Sequence, residues 1–191
     1  MDSVPACPGG GAQKLRTGLP DLGDVRPSVL YLRGATDGLQ VGGGASYNHF
    51  VTELAGGRNP AAAIAVVQAT IDVEQLLAWD PEIILLGNFG PAIPATMYGD
   101  PVLASLRAVR GRRVYKVPLG GYRRDLPSHE SPLMWQWVAG LVHGTGAPGL
   151  RAAIVQEYAF LYGAEPTGTQ LDAILQLPAN ADSAGYADLG R

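Results

Sequence analysis

A single cysteine, Cys7, in a chain of 191 residues excludes a disulfide framework and any metal site built on thiolates. It fits a reducing or an oxidising compartment equally well. Basic residues are sparse and scattered, 14 Lys and Arg against 17 Asp and Glu, for a net charge of −3. Nucleic-acid partners are thereby excluded, because phosphate recognition needs Lys and Arg gathered on one face. The longest apolar runs, such as Ile83 to Leu86 and Ala61 to Val67, fall far short of the roughly 20 residues that span a bilayer. Met1 to Gly11 lacks a basic start followed by an apolar stretch, so no secretory signal is visible. Catalytic signatures are missing as well: there is no Gly-x-Ser-x-Gly elbow, no Gly-x-x-x-x-Gly-Lys loop and no Gly-x-Gly-x-x-Gly after the first strand. These gaps argue for a binding protein rather than an enzyme.

What is present suits a packed domain. Hydrophobic residues make up 47% and charged residues 16%, enough to bury a core. Residues 1–26, rich in Gly and Pro, read as a flexible leader, 27–177 as the folded lobe, and 178–191 as an irregular tail. Apolar strands are expected at Ser28 to Leu32, Glu82 to Leu86 and Arg113 to Val117, and a second short strand or extended segment at Ile64 to Val67. A glycine-rich loop is expected from Ala35 to Gly44. Ser46 caps a helix from Tyr47 to Ala55, and Asp72 with Gln75 opens another from Val73 to Trp79. Asp100-Pro101 starts a helix to about Val109, and Ser131-Pro132 one through roughly His143. Two more helices follow, Leu150 to Leu161 and Thr169 to Leu175. Strand, loop and helix in repetition indicate an α/β fold: a three-layer lobe whose mostly parallel central sheet is flanked by helices, with C-terminal helices added.

Ligands of such folds sit outside the carboxyl ends of the strands. Three long connections leave those ends, Gly34 to Ser46, Gly87 to Gly99 and Pro118 to Ser131, and they outline one candidate site with three walls. The third carries Tyr122, Arg123 and His129. Arginine offers a rigid fork of donors to oxygen-rich anions, and tyrosine a flat face with a hydroxyl. Arg123 and Arg124 could equally pair with Asp125 and Glu130 as a structural network. Tyr47 and Asn48 at the start of the first helix, and Tyr98 in the second connection, are further cleft candidates, and Tyr98 and Tyr122 are expected on one rim. His49 and His143 lie far from His129 in sequence, so a histidine cage depends on the fold to assemble it, and no metal ligand set is assigned. Gly42-Gly43-Gly44 before a helix leaves a phosphate cradle, and with it a Rossmann-type nucleotide enzyme, as an alternative.

Four stretches together resemble the ABC-importer substrate-binding proteins for iron-siderophores, haem and cobalamin. They are Arg26-Pro-Ser-Val-Leu-Tyr-Leu-Arg-Gly34, Phe50-Val-Thr-Glu-Leu-Ala-Gly-Gly-Arg-Asn59, Val73-Glu-Gln-Leu-Leu-Ala-Trp-Asp-Pro-Glu-Ile-Ile-Leu-Leu86 and Arg107-Ala-Val-Arg-Gly-Arg-Arg-Val-Tyr-Lys-Val-Pro118. The end of the chain, Asn180 to Tyr186, is similar to that of iron-complex members. The resemblance implies the C-terminal lobe of a two-lobed clamp, with the N-terminal lobe, the spine helix and the secretion signal missing from this chain. It implies an iron chelate, haem or corrinoid as ligand, no other cofactor, an ABC permease as partner, a separate chain as one source of the missing lobe, and a periplasmic or cell-surface location. It also implies that Glu53 meets an arginine on the permease, where a rim ion pair orients docking. A fragment or interaction module that no longer binds ligand is the remaining alternative.

Overall fold

Alternating strand and helix signals build a three-layer α/β lobe, seen here in a computed structural model that describes residues 26–33, 38–88 and 90–190. Residues 1–25, Cys7 among them, and 34–37 of the first strand-end loop lie outside the described residues. Among the described residues, five strands, β1 (Val29–Arg33), β2 (Leu39–Gly42), β3 (Gln68–Ile71), β4 (Ile83–Leu86) and β5 (Val114–Lys116), form one sheet in the order β3-β2-β1-β4-β5. β1, β4 and β5 are parallel, with Val29 opposite Ile83 and Ile84 opposite Val114. β2 is antiparallel to β1, and β3 to β2, so β3 again runs with β1 and only β2 opposes the rest.

Among the described residues, seven helices cover the two faces: α1 (Tyr47–Leu54), α2 (Val73–Trp79), α3 (Pro94–Tyr98), α4 (Arg107–Arg110), α5 (Ser131–Val142), α6 (Leu150–Tyr162) and α7 (Gly168–Ile174). Alternation along the strands assigns the layers. Val29, Tyr31, Ile83, Leu85 and Tyr115 pack with Val51 of α1, Trp137 of α5, Ile154 of α6 and Leu171 of α7. Leu30, Leu32, Ile84, Leu86 and Val114 pack with Leu76 of α2, Met97 of α3 and Val109 of α4. β4 is buried on both faces, which is why its sequence is an unbroken Ile-Ile-Leu-Leu.

Local expectations fail at three places. The glycine-rich loop expected over 35–44 contains β2, because Leu39 and Val41 alternate with polar residues and pair back onto β1. The second strand falls at Gln68–Ile71 instead of Ile64 to Val67, which instead turns under the backbone of Gly43 and Gly44. A helix expected from Asp100 reduces to turns followed by the short α4.

The tail from 178 to 190 forms turns without helix or strand, yet it packs against the lobe. Asn180, Ser183, Tyr186 and Leu189 are buried. The Asn180 side chain accepts from Lys116 N at 2.6 Å and donates to Lys116 O at 3.0 Å, which supplies β5 with the pairing of an absent neighbour strand. The Ser183 hydroxyl donates to Val114 O at 2.6 Å, and the Tyr98 hydroxyl accepts from Val114 N at 3.2 Å. Side chains thus close a sheet edge that would otherwise offer unpaired backbone groups.

Candidate functional site

The carboxyl ends of β4 and β5 open onto two loops, described at 87–88 and 90–93 and at 117–130. Lys116, the last residue of β5, is buried, and its ammonium meets no carboxylate among the described residues. Nζ donates to Gly87 O at 2.8 Å, Gly90 O at 2.9 Å and Ala92 O at 3.0 Å, and burial pushes its pKa down. Asn88 Nδ2 donates to Pro118 O at 3.3 Å, which ties the two loops together.

The 117–130 loop is organised by two ion pairs. Arg123 grips Asp125 through Nε to Oδ1 at 2.9 Å and a terminal nitrogen to Oδ2 at 2.7 Å. Asp125 also accepts from the Tyr31 hydroxyl at 2.6 Å, and burial, with the carboxylate second, holds that phenol far above its usual pKa. Deeper in, Arg124 Nε donates to Glu130 Oε2 at 2.9 Å, both side chains being essentially without solvent contact. Glu130 Oε1 further accepts from Tyr122 N at 3.2 Å and the Tyr162 hydroxyl at 2.8 Å. Burial, then that hydrogen bond and the carboxylate's charge, pushes Tyr162 up to about 12. A Cβ on Gly120 would stand 1.8 Å from Glu130 Oε2, so the loop backbone closes directly over the carboxylate. Both arginines therefore serve the structural network that their neighbours in sequence allowed.

Tyr122, Pro127, Ser128, His129, Glu130 and Tyr162 line a cleft of about 340 Å³, so the structure brings the predicted Tyr122 and His129 together. A more apolar groove of about 550 Å³ adjoins it across Tyr162, walled by Leu119, Gly121, Tyr158, Pro166 and Ile174. Arg123 does not line this cleft; it is held by Asp125 on the same loop. The other candidates lie elsewhere. The Tyr47 hydroxyl accepts from Trp135 Nε1 at 2.9 Å, and its ring stacks on Phe50. Tyr98 packs at the start of β5 with Arg112 over its ring, at the opposite end of the sheet from Tyr122, so the expected shared rim does not form. Helix α3 explains this, since it carries the chain back from the strand ends before Tyr98 is reached. Glu53 lies on the outside of α1, neither buried nor in the cleft, and pairs with Arg26.

The glycine run is no phosphate cradle: a Cβ on Gly43 would stand 2.3 Å from Val66 O, so close backbone packing accounts for it. Among the described residues, no three His, Cys, Asp or Glu side chains gather as a metal site, and His143 Nε2 lies 3.0 Å from Ala55 O. A concavity of about 650 Å³ at the other end of β5, lined by Arg113, His143 and Asp188, is larger than the cleft. There Arg113 donates to Leu141 O and the Tyr115 hydroxyl to Ala184 O, while His143 Nδ1 is buried without a hydrogen-bond partner among the described residues. Sequence reasoning missed Lys116, Tyr31, Tyr162 and Asn180. The one available signal was a lysine ending an otherwise apolar strand. The tyrosines and Asn180 contribute through contacts 32 to 94 residues apart, for which spacing holds no cue.

Among curated proteins none matches this sequence. Solved structures do. A periplasmic solute-binding protein of Veillonella parvula shares 31% identity over 90% of this chain and 52% of its own, with a TM-score of 0.78. An ABC transporter solute-binding protein of Sulfurospirillum deleyianum gives 24% identity over 88% and 53%, at 0.71. A molybdate-bound periplasmic binding protein of Haemophilus influenzae gives 20% over 83% and 49%, at 0.67. The chain spans about half the length of these proteins. Members of their family are substrate-binding proteins that work with ABC permeases, and no helix among the described residues is long and apolar enough to cross a membrane. The family model for periplasmic binding proteins matches residues 12–119, more than half of the sequence, and the chain belongs to the periplasmic binding protein family.

Proposed function

We propose that this chain is the C-terminal lobe of a periplasmic substrate-binding protein that presents an iron-siderophore, haem or corrinoid to an ABC importer. The observation that carries the reading is the cleft where Tyr122, His129 and Tyr162 converge beside the Arg123–Asp125 pair, outside the carboxyl ends of parallel strands. Tyrosine rings and an imidazole suit a chelate that is flat and apolar in its body and rich in oxygen at its rim. Glu53 serves as the permease contact, exchanging Arg26 for an arginine of the partner on docking. Titration with ferric siderophores, haemin and cyanocobalamin, followed by tryptophan fluorescence, tests the reading. A saturable response to one of these supports it, and a saturable response to a dinucleotide alone defeats it.

A second reading rests on the internal pairing of both loop arginines, which leaves the cleft with few donors to offer a ligand. On that reading the lobe is an interaction module without ligand, and silence toward every chelate favours it.

A further inference from the structure

Residues 119–122 cross from one depression of the surface to the next. Tyr122 lines the cleft, Leu119, Gly120 and Gly121 line the apolar groove of about 550 Å³, and Tyr162 belongs to both. Glycine lets the backbone lie this close, since a Cβ on Gly121 would stand 2.6 Å from the Tyr162 hydroxyl. On one side α6 supplies Tyr158 and Tyr162, whose rings meet edge to face with centroids 5.0 Å apart. On the other, α7 supplies Ala173 and Ile174, and Leu119 N donates to Ile174 O at 2.9 Å, which joins the loop to that helix.

The polar atoms along the groove already bond within the lobe. Tyr158 OH accepts from Gly121 N at 2.8 Å, and the Tyr162 hydroxyl donates to Glu130 Oε1 at 2.8 Å. Gln170 Oε1 accepts from Thr167 N at 2.8 Å, and Gln176 Nε2 donates to Ala173 O at 2.9 Å. Ring and aliphatic surface is what remains to meet a ligand. Among the described residues no lysine or arginine lines the groove, and its one charged residue is Glu165, so an anionic group there would meet only a carboxylate. Leu119 and Tyr162 are still 42% and 50% exposed, apolar area that an occupant would remove from water. The cleft alone, at about 340 Å³, stands at the bottom of the range for small-molecule sites, about 300–1,000 Å³, and the groove extends it through a shared wall.

We infer that the groove is the second half of the ligand surface: it takes the neutral apolar arm, an acyl chain or aryl group, of an amphiphilic chelate whose metal-bearing head sits in the cleft. The groove as an apolar site stands on its own lining, and its assignment to an arm of a chelate rests on the chelate-binding reading above.

Two titrations test this. N-phenyl-1-naphthylamine, a neutral apolar fluorophore, is first added to the ligand-free chain. One saturable site is expected, weakened at least tenfold by Ala173→Trp, which fills the groove from α7. Ala164→Trp, which fills it from the turn after α6, is the second variant in case the first does not fold; both alanines are exposed. No saturable binding in wild type, or unchanged binding in a folded variant, overturns the groove assignment. A dimer in sedimentation that Ala173→Trp dissociates would give the groove to a second copy and overturn it as well. The ferric complexes of N-acetyl and N-octanoyl desferrioxamine B then form a pair with the same head and charge, differing by six methylenes. A fully buried methylene is worth about fourfold in affinity, so burial of only two of the six exceeds about tenfold. Wild type is expected to bind the octanoyl complex at least tenfold more tightly than the acetyl one. Ala173→Trp should bring the two within twofold of each other and leave the acetyl complex within twofold of wild type. Equal affinities in wild type, or a preference that survives the filled groove, overturn the arm assignment. If neither ferric complex binds while the naphthylamine does, the arm falls with the chelate-binding reading, and the apolar site stands on the first titration.

Discussion

Replacing Glu130 by alanine should unfold more of this lobe's stability than any other single change in the 117–130 loop. The Arg124 side chain is 0% exposed and Glu130 1% exposed, and the pair joins through Arg124 Nε at 2.9 Å. Two further Arg124 nitrogens are buried without an acceptor, so the guanidinium depends on this one carboxylate. Removing one partner of a buried pair typically costs about 3–5 kcal/mol, whereas replacing both by apolar groups is often near neutral. Glu130→Ala also strips the Tyr162 hydroxyl and Tyr122 N of their acceptor. Arg124→Met is expected to cost less, about 2–3 kcal/mol, because the carboxylate keeps those two donors. The double substitution should cost clearly less than the sum, with a coupling of about 2 kcal/mol or more. Urea unfolding followed by the fluorescence of the three tryptophans gives all four corners of the cycle. A Glu130→Ala loss below about 1 kcal/mol, the range of an exposed pair, would refute the reasoning.

Other consequences follow from single contacts. Asn180→Ala leaves both Lys116 backbone groups without their partner and should cost about 2–4 kcal/mol, most visibly as faster exchange along β5; wild-type stability would show the tail to be dispensable. Tyr31 and Tyr186 are buried phenols with raised pKa values, while unfolded tyrosines titrate near 10.0. The stability they protect is complete below pH 10 and is lost as pH rises above it, at about 1.4 kcal/mol per pH unit for each. Lys116, lowered by burial, works in the opposite sense up to its unfolded value of 10.5, and one lysine against two tyrosines leaves a net loss. Stability that stays flat between pH 10 and 12 would contradict this. Glu53→Gln should leave chelate affinity within twofold of wild type and weaken binding to the permease; a large change in chelate affinity would place Glu53 in the wrong role.

Much of the fold was legible because the two faces of the sheet write themselves into sequence. Ile83 to Leu86 is buried on both sides and reads as an unbroken apolar run, and Ser46 and Asp72 cap their helices as their side-chain chemistry suggests. β2 and β3 were harder, since Leu39 to Gly42 and Gln68 to Ile71 are short, half exposed and fixed by each other rather than by a strong local preference. The site divides along the same line. Tyr122 and His129 share one loop, so proximity in sequence carried over into space. Tyr98 was misplaced because its position depends on where α3 returns the chain. Arg123 and Arg124 looked alike in sequence, and only the burial of Glu130 and Asp125 shows that both are held internally. Lys116 was read as part of a strand, and its side chain gains meaning from three carbonyls 24 to 29 residues earlier.

The central claim is that the ligand surface lies at the carboxyl ends of β4 and β5. A map of chelate-induced protection from hydrogen exchange tests it most directly, using whichever of haemin, a ferric siderophore or cyanocobalamin gives saturable binding. Protection concentrated in 87–93 and 118–130 is expected, with loss of the effect in Tyr122→Ala. Protection centred on 140–146 and 184–189, around the larger concavity at the other end of β5, would contradict it.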